Sequence, residues 1–172
     1  MAQDNLKIIV VGGGAGGISA ASTAKSVAPD ASITLFTEYE DVAYSPCGIP
    51  FVHGREIPDF KNLFLQTAEH YAEIGIDLRL ETKVTGIDIG KRTVSVGSDE
   101  FGWDRLVFAT GFEYDAPEIP GIDMDGIHYV KNIRRAMEFD KVLDTIKKIV
   151  VVSATPIGIE MAGNLADRKS VV

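Results

Sequence analysis

Cysteine is almost missing from this chain: Cys47 is alone among 172 residues. A single thiol closes no intrachain disulfide and cannot make a cysteine-rich zinc site, so a disulfide scaffold and a zinc module are excluded and no metal is expected. Basic charge is in deficit as well. Lys and Arg total 17 against 25 Asp and Glu, a formal charge of −8. Nucleic acids and anionic membrane surfaces are bound through basic patches, so neither is expected as a partner. Long apolar runs are absent too. Residues 8–24 carry no charge and follow Lys7, as in a signal peptide, but Gly12, Gly13, Gly14, Gly16 and Gly17 interrupt them. A signal peptide needs an unbroken apolar stretch, and a bilayer span needs about 20 apolar residues. A cytoplasmic location is the expectation. What remains is ordinary globular composition, 45% hydrophobic and 24% charged, in a chain long enough to bury about 70% of its unfolded surface.

The hydrophobic pattern opens with a β-α-β unit. Lys7–Val11 is a β-branched apolar run of the kind buried in parallel sheets. Residues 18–27 are rich in Ala and Ser and read as a helix, stopped by Pro29 and Asp30. Ser32–Phe36 is a second strand, and such units cross over right-handedly in open parallel sheets. Residues 37–50 read as a loop. Residues 67–74 read as a helix closed by Gly75, and 77–80 as a short strand. Residues 83–88 and Thr93–Val96 form a hairpin turning around Gly90 and Lys91. A buried strand is expected at 106–109, and Pro117, Pro120 and Gly121 mark a boundary. Beyond it Asn132 can cap a helix reaching about residue 146; 149–152 reads as a strand and 157–166 as a helix.

Gly12-Gly13-Gly14-Ala15-Gly16-Gly17 satisfies G-x-G-x-x-G in the setting that gives the pattern meaning, after a strand and before a helix. Gly12 permits a tight turn, Gly14 lets backbone approach a pyrophosphate, and Gly17 lets the helix pack on the strand. The helix N-terminus then offers N–H groups and positive potential to phosphates. Glu38 follows at about the 20-residue spacing of a ribose-binding acid.

The stretch Asp104-Arg105-Leu106-Val107-Phe108-Ala109-Thr110-Gly111 ends a strand in Ala-Thr-Gly. With the N-terminal glycine motif it resembles the flavoprotein disulfide reductase superfamily over essentially the whole chain. The resemblance implies an α/β, Rossmann-like, three-layer FAD-binding fold with a parallel sheet and a small β-hairpin or meander. The start of a second Rossmann-like unit, for NAD(P)H, should follow. It implies an FAD-binding domain over 1–121, a linker and helix over 122–147, and an incomplete NAD(P)H-binding-like unit over 148–172. Cofactor contacts are implied at Gly12, Gly14, Ala15, Gly16, Gly17, Pro46, Val84, Ala109, Thr110 and Gly111. Counted from Gly17, the family's ribose-binding acid falls on Thr37, with Glu38 next. Glu38 is favoured, although a one-residue shift turns a strand side chain to the other face.

Tyr44-Ser45-Pro46-Cys47-Gly48-Ile49-Pro50-Phe51 is similar to the redox loop of the single-cysteine branch: coenzyme A-disulfide reductases and related NADH oxidases, peroxidases and persulfide reductases. The paired-cysteine branch would carry its second cysteine at position 52, which is Val52. A reactive cysteine is activated by positive potential, and Pro46 and Gly48 suit a loop turning into a helix. Two features depart from the family. Its second glycine motif would fall on 153, 155 and 158, where this chain has Ser153, Thr155 and Gly158, so only the helix-packing glycine survives. The chain also ends soon after Arg168, as the opening portion of a longer flavoenzyme would. His53, His70 and His128 read as solvated or structural. Trp103 reads as packing, and Lys25 as a solvated helical lysine that could meet a coenzyme A phosphate. The implied activity passes electrons from NAD(P)H through FAD to Cys47 and then to a disulfide, persulfide or oxygen acceptor. The alternative is a nucleotide-binding module without turnover. A small thiol or disulfide such as coenzyme A is the implied substrate, with a homodimer or other self-association covering exposed apolar surface.

Overall fold

The computed structural model describes residues 6–112, 118–130 and 132–168. The boundary residue Pro117 and the C-terminal 169–172 lie outside the described residues. In chain order the elements are β1 (Lys7–Val11), α1 (Ala15–Val27), β2 (Ser32–Phe36), α2 (Ile49–His53), α3 (Ala68–Glu73) and β3 (Ile76–Arg79). After them come β4 (Gly86–Asp88), β5 (Thr93–Val96), β6 (Asp99–Gly102), β7 (Arg105–Phe108), α4 (Ile133–Leu143) and α5 (Pro156–Asp167). They divide into two compact units, Met1–Tyr44 with Gln66–Gly111, and Ser45–Leu65 with Phe112–Val172.

The first unit is built on a parallel sheet in the order β3-β2-β1-β7. β1 is central: Val11 lies opposite Phe36 of β2 and Phe108 of β7. Side chains alternate between faces. Ile8, Val10, Ile33 and Leu35 pack with Ala21 of α1 and Tyr71 of α3. Ile9, Val11 and Phe36 pack with Val94 of β5 and with Phe101 and Trp103. The antiparallel meander β4-β5-β6 therefore covers one face and the helices cover the other, giving the three layers. Both faces of the sheet are covered, which is why β1 is apolar at nearly every position. Thr67 caps α3 by accepting the His70 N–H. Gly75 closes it at φ +77, the left-handed conformation in which helices commonly end.

In the second unit, the Asn132 side chain caps α4 by accepting the Arg135 N–H at 2.9 Å. Phe139 and Leu143 of α4 pack on Met161 and Leu165 of α5. The strand expected at 149–152 does not form. Val150 and Val152 are 85% and 89% exposed. A buried parallel strand exists only against paired neighbours, and among the described residues none pairs with this segment. No helix among the described residues is long and apolar enough to cross a membrane.

Candidate functional site

The glycine turn between β1 and α1 is closed on the sheet side and open on the other. Gly12 has φ +115, a conformation that glycine adopts readily, and its N–H donates to the Phe36 carbonyl at 2.8 Å. A side chain at Gly12 would collide with the Ala109 carbonyl, and one at Gly17 with the Gly12 carbonyl. At Gly14 an added carbon would meet nothing within 4 Å. Gly14 caps α1 with no side-chain hydrogen bond, leaving the first-turn N–H groups at Ala15, Gly16 and Gly17 without intrahelical acceptors. Open space in front of free N–H groups at the positive end of a 13-residue helix fits a diphosphate.

The end of β7 meets this turn. Ala109 donates its N–H to Val11 at 2.9 Å, and its Cβ lies 4.0 Å from where a Gly16 side chain would begin. Thr110 and Gly111 follow, Gly111 at φ +72. The structure thus joins the two motifs that lie far apart in sequence.

Thr37 and Glu38 continue from β2 with different surroundings. Thr37 is 6% exposed. Its Cβ sits 2.9 Å from where a Gly13 side chain would begin, and its carbonyl accepts the Thr82 N–H at 2.7 Å. Glu38 faces Lys83, with Oε2 2.9 Å from Nζ. The Lys83 hydrogen bond and charge hold the Glu38 carboxyl below its ordinary range. Val84, next along, is half-buried against the Phe36 side of the sheet. Position 37 therefore faces the glycine turn, while the acid at 38 is already paired.

Pro46 and Cys47 belong to the second unit. They form the 3-10 turn Pro46–Gly48, which runs directly into the five-residue α2. Cys47 is exposed. The turn is seated on the segment Phe60–Leu63: Ser45 donates its N–H to the Leu63 carbonyl at 2.9 Å, and Gly48 has room for no side chain because the Leu63 side chain occupies that space.

One group of residues carried no chemical signal in the sequence. His53, the last residue of α2, is 0% exposed, so of the two expectations, solvated or structural, it is the structural one. Nδ1 lies 3.2 Å from Asp140 Oδ1. A carboxylate only accepts, so Nδ1 carries the proton and Nε2 the lone pair. Nε2 is buried without a hydrogen-bond partner among the described residues. The ring meets Phe60 and Phe139 edge-on, with centroids 5.6 and 5.3 Å away. Arg168 donates to Asp140 at 2.8 Å and to the His53 carbonyl at 3.1 Å, and it pairs with Asp144. Arg55 reaches Asp140 at 3.1 Å from a backbone at φ +66. Burial pushes the His53 imidazole below its ordinary value, against the opposing influence of Asp140. Burial disfavours ionised Asp140, yet hydrogen bonds from Arg168 and His53 and the nearby cations outweigh it and hold its carboxyl low.

Elsewhere, Lys25 is tied down: Nζ donates to the Ala31 carbonyl at 2.9 Å. His70 lies edge-on to Tyr71, and His128 beside Phe139. At the second turn, Ser153 Oγ and Thr155 Oγ1 are 2.7 Å apart, and the Thr155 N–H donates to Ser153 Oγ at 3.3 Å. Gly158 packs against the Ser153 carbonyl with no space for a side chain. Linked hydroxyls stand where a pyrophosphate would need bare backbone, so this turn does not fit a dinucleotide as the first one does.

A parallel sheet bearing a glycine turn at a helix N-terminus, with a strand end alongside, defines a dinucleotide-binding α/β protein of the Rossmann type. Residues 6–172 match the pyridine nucleotide-disulphide oxidoreductase family, and the chain belongs to it. An NADH oxidase of Methanocaldococcus jannaschii is 36% identical over 171 residues, covering 95% of this chain and 38% of that protein. An NAD(P)H coenzyme A polysulfide/persulfide reductase of Pyrococcus horikoshii is 34% identical over 161 residues, 91% of this chain and 36% of that protein. The water-forming NADH oxidase of Lactobacillus brevis, solved bound to NADH, superposes with a TM-score of 0.91 at 27% identity, over 97% of this chain and 38% of that one. The chain thus spans under two fifths of the length of the relatives it matches.

Proposed function

We propose that this chain carries the flavin-binding and cysteine-bearing part of an FAD-dependent NAD(P)H oxidoreductase of the single-cysteine type. The observation that carries the reading is the junction of the Gly12–Gly17 turn with the end of β7, closed at Gly12, Gly13 and Gly17 and open at Gly14, with Gly16 in no more than ordinary contact with Ala109. The first-turn N–H groups of α1 hold the FAD diphosphate, Thr37 and Glu38 border its ribose, and Val84 borders its adenine. On this reading 1–121 is the FAD-binding domain, 122–147 a linker with α4, and 148–172 an incomplete NAD(P)H-binding-like unit.

FAD supplies the chemistry of taking a hydride from NAD(P)H and passing two electrons on. Cys47 is the protein's own reacting group. As a mixed disulfide or persulfide, Cys47–S–S–R accepts two electrons; the S–S bond breaks, leaving the Cys47 thiolate and an R–S group that takes a proton. A disulfide or persulfide of coenzyme A is the preferred acceptor, with oxygen the other. The name of the P. horikoshii relative supports this choice. The protein is proposed to act in the cytoplasm and to self-associate through exposed apolar surface of the second unit.

The Ser153–Thr155 pair favours a second reading, a flavin-binding module without turnover of its own. The visible spectrum of the purified chain separates them. Bound flavin that bleaches under anaerobic NADH, with a Cys47 adduct lost on thiol reduction, supports the oxidoreductase. Flavin that NADH leaves oxidised supports the module. Colourless protein that takes up no FAD sinks both.

A further inference from the structure

His53 is buried in the second unit, and its position relative to Cys47 follows from the local chain path. The 3-10 turn that bears Cys47 continues into α2, and His53 ends α2. The chain then folds back: Glu56 and Ile57 both donate their N–H groups to the Phe51 carbonyl. The following segment Phe60–Leu63 touches both ends of this hairpin. Phe60 lies edge-on to the His53 ring. Leu63 holds Ser45 by a 2.9 Å hydrogen bond and fills the space beside Gly48. The ring and the thiol turn are thus linked through one short helical turn.

The ring is fixed on one side only. Asp140 holds Nδ1, whereas Nε2 faces the interior with no acceptor. The charged groups facing the ring are Asp140 from α4, Arg168 from the end of α5 and Arg55 from its own segment, with Asp144 behind Arg168. Asp59 and Lys61, beside Phe60, pair with each other at 3.8 Å. A proton added at Nε2 creates a buried N–H without a partner, which costs free energy until the ring shifts or water enters. The ring is wedged edge-on between Phe60 and Phe139, and Phe60 begins the short turn whose last residue, Leu63, seats the cysteine turn, so a ring shift toward Phe60 is transmitted to that seat.

We propose that His53, clamped by Asp140, is a positioning residue for Cys47, and that protonation of its ring loosens the turn and slows attack of the Cys47 thiolate on disulfides. The proposal rests on Cys47 being the reacting thiol, but it needs no flavin and no second substrate. The test uses 2,2′-dithiodipyridine with the whole chain. The Cys47 thiolate attacks one sulfur, the S–S bond breaks, and the departing thiolate takes a proton to give 2-thiopyridone, which is read by absorbance. Below its own pKa an isolated thiol gives a logarithm of rate that rises linearly with pH. Wild type is expected to fall below that line by about threefold or more as pH drops below the ordinary histidine range of about 6.5, through the depressed folded value of the ring. His53→Gln, with its fold checked by near-UV circular dichroism, is expected to follow the line throughout; if that variant does not fold, Asp140→Asn, which keeps the ring but removes the carboxylate that favours its protonation, is expected to move the deviation to lower pH. The midpoint of the deviation should coincide with the titration of the His53 ring proton followed by NMR in wild type.

A wild-type profile with no deviation overturns the proposal, as does a deviation retained in folded His53→Gln or one whose midpoint differs from that of the ring. A Cys47→Ser chain that still releases thiopyridone, or a wild-type chain that releases none, overturns the reading of Cys47 itself, and the proposal with it.

Discussion

Gly14 and Gly17 stand in the same turn and respond very differently to an added methyl group. At Gly17 the carbon would overlap the Gly12 carbonyl, so Gly17→Ala must push α1 off the sheet. A loss of about 1–3 kcal/mol is expected, read from urea unfolding midpoints. At Gly14 the carbon enters open space, and the backbone at φ −74 suits any residue. Gly14→Ala is therefore expected to cost about 1 kcal/mol or less in stability while weakening FAD binding about tenfold or more, read by flavin fluorescence titration. Equal stability losses in the two variants, or unchanged FAD affinity in Gly14→Ala, would refute the assignment. The close packing at Gly12 and Gly17 and the open space at Gly14 were readable from residue type and spacing, because they rest on local geometry. The state of Glu38 was not. Its partner Lys83 comes from a distant segment, and which of Thr37 and Glu38 faces the turn depends on the exit path of β2. His53 was invisible for the same reason: burial and an Asp140 contact are tertiary properties of an otherwise unmarked histidine.

The elements show where local pattern suffices and where it fails. β1 and β2 match their expected bounds because β-branched runs are sharply bounded by Gly12 and by Ala31 and Thr37. α4 begins at its expected cap, and Asn132→Ala is expected to cost about 1 kcal/mol by orphaning the Arg135 N–H, measurable as a lowered unfolding midpoint at unchanged slope. β6 was not foreseen, since Asp99-Glu100-Phe101-Gly102 offers one large apolar residue and forms a strand only through pairing with β5. The reverse error lies at 149–152, apolar enough for a strand but without a pairing neighbour among the described residues. Packing of α2, α4 and α5 around His53 and Asp140 gives this unit a defined pH response. His53 is held below its ordinary value, so the unfolded chain takes up a proton near pH 6.5 that the folded chain resists. Stability therefore falls as pH drops from about 6.5 towards the depressed folded value. Asp140 is also held low; its contribution is present above about pH 4 and is lost as pH falls through its folded value. His53→Phe is expected to remove the upper part of this profile and spare the lower, in unfolding midpoints taken from pH 7.5 to pH 3. A wild-type midpoint that stays flat between about pH 7 and pH 5 would refute the His53 contribution.

For the molecule as a whole, two opposing influences decide whether copies associate. The formal charge of −8 repels like copies. Val150, Val152 and Ile159 are exposed large apolar residues of the second unit, and such surface favours burial against another copy. Salt separates the two effects by sign. Screening shortens the reach of the charge to about 8–10 Å near physiological ionic strength, while apolar contact is not weakened by it. Association through these valines should therefore strengthen as sodium chloride is raised, whereas association through ion pairs would weaken. Light scattering is expected to give an apparent mass that rises with both protein concentration and salt. Val150→Ser with Val152→Ser should abolish that rise and leave the unfolding midpoint within about 0.5 kcal/mol of wild type, since both side chains are already in water. A monomer at every salt concentration would remove self-association from the proposed function. A mass that falls with salt would move the contact from the exposed valines to the charged surface.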